Sequence, residues 1–377
     1  MSQENADFIV IGAGIGGASV AYWLSRQARV IVLEAETQPG YHSTGRSAAL
    51  FMESYGPDQV RALTRAGIDF FRNPPAGFCE HPLLTPRGAF VFAGPGQEAE
   101  LDAHEASVRA TSSAARRLDA REAMEFLPVL RPDHVIGGVL EQDASDIDVD
   151  ALLQGFLRGT RQHGGRTVYD AAVTGLSRSG GQWTVTTARS VYQAPVVVNA
   201  AGAWADDVAR MAGAAPVGLV PKRRSAFLFA PPEGIASSHW PLFLDVQESF
   251  YIKPDAGMLL GSPCNADPVA PHDVQAEELD IAIAIDNIER MTTLRIRRPA
   301  HVWAGLRSFV ADGELVGGYD PKVPDFFWAA GQGGYGIQSA PGAGRYYASE
   351  LLGEGAGALP ALPGFDPARI SPARFPC

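Results

Sequence analysis

Residues 7–34 have the sequence DFIVIGAGIGGASVAYWLSRQARVIVLE, and this stretch decides the fold. Its first part, 7–11, is a short apolar run rich in branched residues, which predicts a buried parallel strand. A glycine-rich turn follows, then a helical pattern over 18–27 and a second apolar run over 29–33. Strand, glycine turn, helix and strand in this order predict a Rossmann-type βαβ unit that binds a dinucleotide.

Each glycine of the turn that matches the dinucleotide-binding pattern has a physical role. Gly12 permits the tight turn, Gly14 lets the backbone approach a pyrophosphate, and Gly17 lets helix and strand pack closely. The helix N-terminus offers unpaired N–H groups to the phosphates. Glu34, at the end of the second strand, is placed to accept hydrogen bonds from a ribose, which favours FAD or NAD over NADP.

Composition and charge limit the class of protein. The chain has 377 residues, 46% of them apolar, a formal charge of −11 and three cysteines. The negative charge argues against a nucleic-acid partner. The cysteines have no metal-ligand spacing and suit a reducing compartment. Neither a signal peptide nor a transmembrane segment is indicated, so we expect a cytoplasmic enzyme of two domains.

Three further stretches favour FAD. The small, polar segment QPGYHSTGRSAA (38–49) is too long for a simple turn. The segment APVVVNAAGAW (194–204) predicts a strand and a small-residue turn, and FFWAAGQGGYGIQ (326–338) predicts a strand and a glycine turn that opens a helix near residue 335. The N-terminus of that helix could stabilise negative charge on a reduced flavin.

These stretches, with four others, give the chain a wider likeness. The others are NPPAGFCEHPLL (73–84), PKRRSAF (221–227), ESFYIKPDAGMLLGSP (248–263) and WAGLRSFVADG (303–313). Over nearly its whole length the chain resembles the D-amino acid oxidase-like (DAO) family of FAD oxidoreductases, and most closely its bacterial D-arginine dehydrogenases.

The resemblance implies an α/β (α+β) fold of two interleaved domains. A glutathione-reductase-like, Rossmann-type FAD-binding domain is expected over 1–50, 145–215 and 300–377. A substrate domain built on a large antiparallel sheet is expected over 51–144 and 216–299.

Smaller elements are expected from local patterns. A helix over 151–162 is expected with Asp148 or Asp150 as its N-cap. The tail from Leu359 is expected to be an ordered or fraying surface end. Two sets of strands are also predicted: 225–230, 250–253 and 258–261 in the large sheet, and 165–169, 173–178 and 183–187 in a small antiparallel insert.

FAD is expected to be bound non-covalently, because the stretch 331–338 contains no Cys or His to tether it. The residues expected to bind it are Gly12, Gly14, Ile15, Gly17, Glu34, Ala35, Ser43, Thr44, Gly45, Ser47, Ala48, Ala49, Val173, Ala201, Gly202, Trp204, Gly333, Gly334, Tyr335, Gly336, Ile337 and Gln338.

The substrate site is implied by the resemblance as well. Arg224 and Arg307 match the family's carboxylate-binding arginines, whose forked guanidinium suits a carboxylate. Tyr55 and Tyr251 match the pocket tyrosines, and the carbonyl of Gly334 matches the group that orients the substrate amine. Gln338 lies one turn further along and is grouped with these substrate-binding residues.

The expected side-chain pocket departs from the arginine-specific pattern. Ala89 stands where those enzymes carry an acid, and Leu50 where they carry a histidine. A cationic side chain would therefore lack its counter-charge, whereas each buried CH₂ gains roughly 0.8 kcal/mol. Glu53 or Asp245 could restore an acid, although strand alternation points Glu53 away from the face of Met52. The pocket residues expected are Leu50, Met52, Ala89, Leu242 and Leu244.

The expected function is FAD-dependent oxidation of D-amino acids with neutral, apolar or aromatic side chains to 2-oxo acids and ammonia. Oxygen or a quinone-like molecule would take the electrons. A glycine/sarcosine-type amine oxidase of the same family and a non-catalytic flavin-binding electron-relay subunit are the alternatives.

Overall fold

The computed structural model describes residues 2–112, 114–355 and 362–375. A six-stranded sheet forms the cofactor half. Its first five strands are parallel and the sixth is antiparallel, as the Rossmann pattern of the sequence predicts. In spatial order the strands are Arg166–Val168, Val30–Leu33, Phe8–Ile11, Val196–Asn199, Phe326–Ala330 and Val316–Tyr319.

Helices cover this sheet and bury its apolar face. The helix after the glycine turn begins at Ile15, three residues before the predicted start, because Gly14 is the extended N-cap residue and Ile15 packs inward. The α-helices of the described chain are Ile15–Leu24, Asp58–Arg72, Glu98–Arg109, Ala120–Phe126, Val149–Gln162, Ala205–Ala212, Glu278–Met291 and Gly336–Leu351, and the 3-10 helices are Pro132–His134, Gly202–Trp204, Pro367–Arg369 and Pro372–Arg374.

A second, larger sheet lies where the substrate domain is expected. The expectation of an antiparallel sheet is right for all of its pairings except one, since Leu242–Asp245 runs parallel to Ala89–Ala93. Its spatial order begins with His301–Phe309 paired to Val220–Phe229, which also pairs with Asp267–Pro268 at its other edge. The sheet continues with Met258–Ser262, Tyr251–Asp255, Leu242–Asp245, Ala89–Ala93, Gly137–Glu141 and Ala115–Asp119.

Two small sheets complete the fold. The predicted insert contains the hairpin Val173–Ser179 and Gln182–Thr187. The predicted strand 165–169 is not part of it, because Arg166–Val168 pairs with the edge of the parallel sheet. The four-stranded sheet is completed by Ser190–Ala194 and Ser2–Asn5, and a three-stranded sheet comprises Leu50–Phe51, Ser145–Ile147 and Leu84–Pro86.

The predicted helix over 151–162 is present as Val149–Gln162, and its N-cap is Asp148, whose side chain accepts from the N–H of Ala151 at 2.9 Å. The strand His301–Phe309 belongs to the large sheet by its hydrogen bonds, although the expected boundary at 300 assigns it to the cofactor domain. The division into two interleaved domains remains a proposal. The start of the expected surface tail, at Leu359, lies outside the described residues.

Within the described ranges, the longest α-helix has 16 residues, and none has the length and apolar character needed to span a bilayer.

Candidate active site

The glycine turn has the close packing expected of a phosphate-binding loop. Gly12 has φ +105°, and a Cβ atom there would lie 2.4 Å from the carbonyl oxygen of Ala200. A Cβ at Gly17 would lie 2.0 Å from the carbonyl oxygen of Gly12, so helix and strand can approach only because both residues are glycine. Gly14, by contrast, has no backbone atom pressed against it and faces a cavity.

Glu34 and Thr44 hold this turn in place. One carboxylate oxygen of Glu34 accepts from the N–H of Ala13 at 2.7 Å, and the other accepts from Glu36 at 3.0 Å. The hydroxyl of Thr44 accepts from the N–H of Ile15 at 3.1 Å. The segment 38–49 thus returns to the helix N-terminus, as the FAD interpretation of the sequence predicts.

A cavity of about 390 Å³ opens beside this turn. The ring of Trp204 packs against His42 at 4.7 Å between centroids, and both rings line the cavity. His42 was not predicted as a site residue, because no motif spacing in the sequence related it to another candidate residue. The expected FAD residues that line this cavity are Gly12, Gly14, Glu34, Ala35, Ser43, Thr44, Val173, Ala201, Gly202 and Trp204.

A second, narrower cavity continues from Ser43 and Thr44 towards the large sheet. The hydroxyl of Ser43 donates to the carbonyl of Leu306 at 2.6 Å, which fastens the loop to that sheet. The expected FAD residues here are Ile15, Ser43, Thr44, Ser47, Ala48, Gly333, Gly334, Gly336 and Ile337.

Five expected FAD residues have other positions, and one of them, Gln338, is described below with the substrate cavity. Ala49 lines the third cavity, described below. Gly45 closes a turn through its N–H to Gly40, at 2.7 Å, and Gly17 packs against the strand. Tyr335 packs its ring on Tyr55.

Arg224 and Arg307 lie where the second and third cavities meet. They come from paired strands, since Lys222 stands opposite Arg307 and Arg224 is two residues further along. The Nε of Arg224 donates to the carbonyl oxygen of Asn265 at 2.7 Å. Neither guanidinium has a carboxylate partner among the described residues, so two cations face each other without a counter-charge.

The pKa directions of the two groups agree with this arrangement. Burial and the charge of Arg307 lower the pKa of Arg224. Burial also pulls the pKa of Arg307 down, but Tyr55, Tyr251 and Cys264 together act in the opposite direction and the pKa is raised. An anion at this place would relieve the repulsion between the two cations.

The two expected tyrosines lie beside Arg307. Tyr55 hydrogen-bonds to Arg307, and a Cβ atom at Gly334 would lie 3.0 Å from the Tyr55 hydroxyl and 3.1 Å from Nη1 of Arg307. Tyr251 is 8% exposed, and burial raises the pKa of its phenol. The sequence-predicted group of two arginines, two tyrosines and Gly334 is therefore brought together in one place.

The amide of Gln338 is engaged by other protein groups. Its Oε1 accepts from the N–H of Met52 at 3.3 Å, and its Nε2 donates to the carbonyl of Tyr55 and to the hydroxyl of Thr64. Its side chain is 2% exposed. These bonds hold the loop that carries Tyr55. Because Gln338 also lines the third cavity, its grouping with the residues that contact substrate remains a prediction.

The third cavity, of about 360 Å³, extends beyond the arginines. Leu50, Met52, Leu242 and Leu244 line it as expected. Ala89 is 2% exposed and does not line it, although Val91, two residues further along the same strand, does.

The two candidate compensating acids differ in position. Glu53 lines a separate cavity with Arg72, Glu141 and Asp143, as strand alternation predicts. Asp245 borders the substrate cavity but is 1% exposed, and its Oδ1 accepts from the backbone N–H and the hydroxyl of Ser249. Its carboxylate therefore stabilises the turn after its strand.

Sequence reasoning missed several polar groups in this cavity. His104 lines the cavity with Arg61 and Ser107, and burial lowers the pKa of His104. Cys264 and Glu248 lie on the near side. These residues lie far apart in the sequence, so no local pattern indicated that they line the same cavity.

A profile of the FAD-dependent oxidoreductase family (DAO) matches residues 7–350. The chain belongs to the DAO family. The mouse FAD-dependent oxidoreductase domain-containing protein 1 is 25% identical, with 93% of this chain and 82% of the relative aligned. Mouse mitochondrial dimethylglycine dehydrogenase is 23% identical, with 99% of this chain and 44% of the relative aligned.

A solved DAO-type structure shows the same fold. Glycine oxidase from Geobacillus kaustophilus superposes with a TM-score of 0.82 at 20% identity, over 99% of this chain and all of the other. Family membership makes FAD the cofactor, and the residues fit it: the glycine cradle, the helix N-terminus and the two joined cavities provide its place. The closer likeness to D-arginine dehydrogenases remains a prediction.

Proposed function

We propose that this enzyme oxidises D-amino acids to 2-oxo acids and ammonia. The observation that supports the proposal is the unpaired couple Arg224 and Arg307 at the junction of the cofactor and substrate cavities. A guanidinium fork matches the geometry of a carboxylate and binds it with two parallel hydrogen bonds. The cavity beyond them has room for an amino-acid side chain.

Each group has a defined task in this proposal. The two arginines bind the substrate carboxylate, and the Tyr55 hydroxyl closes over it. The carbonyl of Gly334 accepts from the substrate amine and so orients Cα. When bound, the flavin accepts the hydride that leaves Cα. The amine enters in its neutral form and its lone pair completes the imine, so no side-chain base is required, and water then releases the 2-oxo acid and ammonia.

Specificity follows from the far end of the cavity. Leu50, Met52, Leu242 and Leu244 offer apolar surface. Arg61 adds a positive charge there, which disfavours a guanidinium or ammonium side chain by like-charge repulsion. Neutral apolar or aromatic side chains are therefore proposed as the preferred substrates, unlike in the D-arginine dehydrogenases that the sequence resembles.

A glycine/sarcosine-type amine oxidase is the second candidate. It is supported by the similarity to dimethylglycine dehydrogenase and to glycine oxidase. The two candidates share the carboxylate site but differ in what fills the 360 Å³ cavity, which a glycine derivative leaves largely empty. The non-catalytic relay subunit is disfavoured by the unpaired arginines, since an electron relay has no use for a carboxylate site.

Product analysis separates these candidates. Turnover of D-leucine with an artificial electron acceptor should yield 4-methyl-2-oxopentanoate and ammonia in equal amounts. Efficient oxidation of N-methylglycine together with inert D-leucine would favour the second candidate. No product from either substrate would favour the relay subunit. The free thiols of Cys79 and Cys264 support a reducing compartment, the cytoplasm, for this activity.

A further inference from the structure

The loop that carries Tyr55, residues 52–56, is held by side chains from three separate elements. Gln338, on helix Gly336–Leu351, bonds to the backbone of Met52 and Tyr55. The Nε of Arg61, on helix Asp58–Arg72, donates to the carbonyl of Gly56 at 2.6 Å. The hydroxyl of Ser54 donates to Oε2 of Glu141 at 2.5 Å. The last bond ties the loop to the large sheet, whereas the first two tie it to helices.

The bond between Ser54 and Glu141 is buried on both sides. Ser54 is 8% exposed and Glu141, the last residue of strand Gly137–Glu141, is 3% exposed. Ser54 also borders the substrate cavity, directly before Tyr55 in the chain. A shift of Ser54 would therefore move the phenol that closes on Arg307.

The surroundings of Glu141 make it a costly residue in this position. Asp143 and Glu53 lie near its carboxylate, and Arg72 lines the small cavity that these acids share. Burial raises the pKa of Glu141 to about 7, with the Ser54 hydrogen bond acting in the opposite direction. An apolar residue at position 141 would avoid the free-energy cost of burying a carboxyl group. The fold alone therefore does not explain a glutamate here, and its hydrogen bond to Ser54 points to another role.

We infer that Glu141 is a positioning residue that acts through Ser54 to hold the Tyr55 hydroxyl beside Arg307, and so strengthens binding of the substrate carboxylate. The inference rests on the proposed carboxylate site. It assigns no chemical step to Glu141, which lies outside the cavities that hold cofactor and substrate.

The first test uses the holoenzyme and needs no substrate. Amide hydrogen exchange of residues 52–56 should become at least about tenfold faster in Ser54→Ala and Glu141→Met, because both remove the bond to the sheet. Glu141→Gln keeps an oxygen that accepts from Ser54 and should exchange as the wild type does. Asp143→Asn is the matched control, since the Asp143 carboxylate accepts from Ser112 and not from the loop.

The second test measures kinetics on D-leucine. Glu141→Met and Ser54→Ala should raise KM about fivefold to tenfold, the effect of one lost hydrogen bond, and change kcat less than twofold. Glu141→Gln should restore the wild-type KM. In a Tyr55→Phe background, Glu141→Met should raise KM no further, because the group that it positions is already absent.

Two results would contradict the positioning role of Glu141. Additive effects of Glu141→Met and Tyr55→Phe on KM would overturn the inference, and so would unchanged exchange of the loop in Ser54→Ala. If Glu141→Met does not fold, Ser54→Ala alone decides. If the enzyme does not oxidise D-amino acids at all, the proposed function fails, while the exchange experiment still decides whether Glu141 holds the loop.

Discussion

Arg224 and Arg307 determine what the site can bind. Two cations that lack a carboxylate partner repel each other, and this repulsion is relieved only when an anion enters. The groups that raise the pKa of Arg307 are the phenols of Tyr55 and Tyr251 and the thiol of Cys264, with no carboxylate among them, so the anion-binding character of this point rests on the two arginines. Arg223, which precedes Arg224 in the same strand, faces the other way and pairs with Asp280 at 3.0 Å.

Replacing Arg307 tests that account at the scale of one residue. Arg307→Met should lower kcat/KM on the best substrate by about two to four decades, because a charge-assisted bidentate contact worth roughly 3–5 kcal/mol is lost. FAD content should stay at the wild-type level, and the exposed Arg298→Met serves as the control for loss of a positive charge. Near-wild-type activity would show that Arg224 or another group binds the carboxylate.

At the scale of elements, the turn between strand Phe8–Ile11 and helix Ile15–Leu24 fixes the cofactor. Gly12→Ala should reduce the FAD retained after purification several-fold, because φ +105° and a contact at 2.4 Å force the turn to shift. The ratio of flavin to protein absorbance measures this. Gly175→Ala is the control, since its Cβ would meet its nearest atom at 3.9 Å. Full FAD content in Gly12→Ala would contradict the assigned role of the turn.

The end of strand Gly137–Glu141 should make stability depend on pH. The pKa of Glu141 is raised from 4.5 to about 7 by burial, so the folded state binds its proton more tightly than the unfolded state does. This contribution to stability is complete below pH 4.5 and is lost as the pH rises to 7, by at most about 3 kcal/mol. Glu141→Gln removes the titrating group.

The difference in the free energy of unfolding between Glu141→Gln and wild type should therefore grow in favour of the variant from pH 5 to pH 8. Denaturant titrations at both values measure it, and the wild-type protein supplies the reference at each pH. A difference that is constant or shrinks with pH would mean that Glu141 is already ionised in the folded protein at pH 5.

At the scale of the whole molecule, local patterns predicted the cofactor half well. The order of strand, glycine turn, helix and strand is encoded within residues 7–34. The bond from the Ala13 N–H to Glu34 was not predicted, and the ribose contact expected of Glu34 remains a prediction. The family likeness located the arginines and tyrosines. The sequence pattern could not show that Ala89 does not line the cavity. Nor could it show that the amide of Gln338 hydrogen-bonds to Met52, Tyr55 and Thr64, because both features depend on contacts between distant segments.

The far end of the substrate cavity shows the same limit. His104 and Arg61 come from two helices, Glu98–Arg109 and Asp58–Arg72, and no local pattern predicts that these helices line one cavity. The register of the large sheet also depends on long-range pairing, and its one parallel contact joins strands that are about 150 residues apart, a separation that local propensity does not encode.

The complete molecule should release its cofactor intact. The cysteines that the structure describes, Cys79 and Cys264, do not line the two cavities assigned to FAD. His42 lines the cavity beside the phosphate-binding glycine turn and not the cavity that reaches the two arginines. Acid or heat precipitation should therefore leave yellow, free FAD in the supernatant. Flavin that stays with the precipitated protein would show a covalent bond.

The proposed oxidation of apolar D-amino acids is tested most directly by anaerobic reduction of the bound flavin, which is monitored through the loss of its visible absorbance. The panel is D-leucine, D-methionine and D-phenylalanine against D-arginine, D-lysine, N-methylglycine and the L-forms. The account predicts bleaching by the three apolar D-amino acids at rates at least about tenfold above D-arginine, since a preference of 1.4 kcal/mol suffices for that ratio. Faster bleaching by D-arginine would contradict the assigned specificity, and bleaching by N-methylglycine or L-amino acids alone would contradict the proposed reaction.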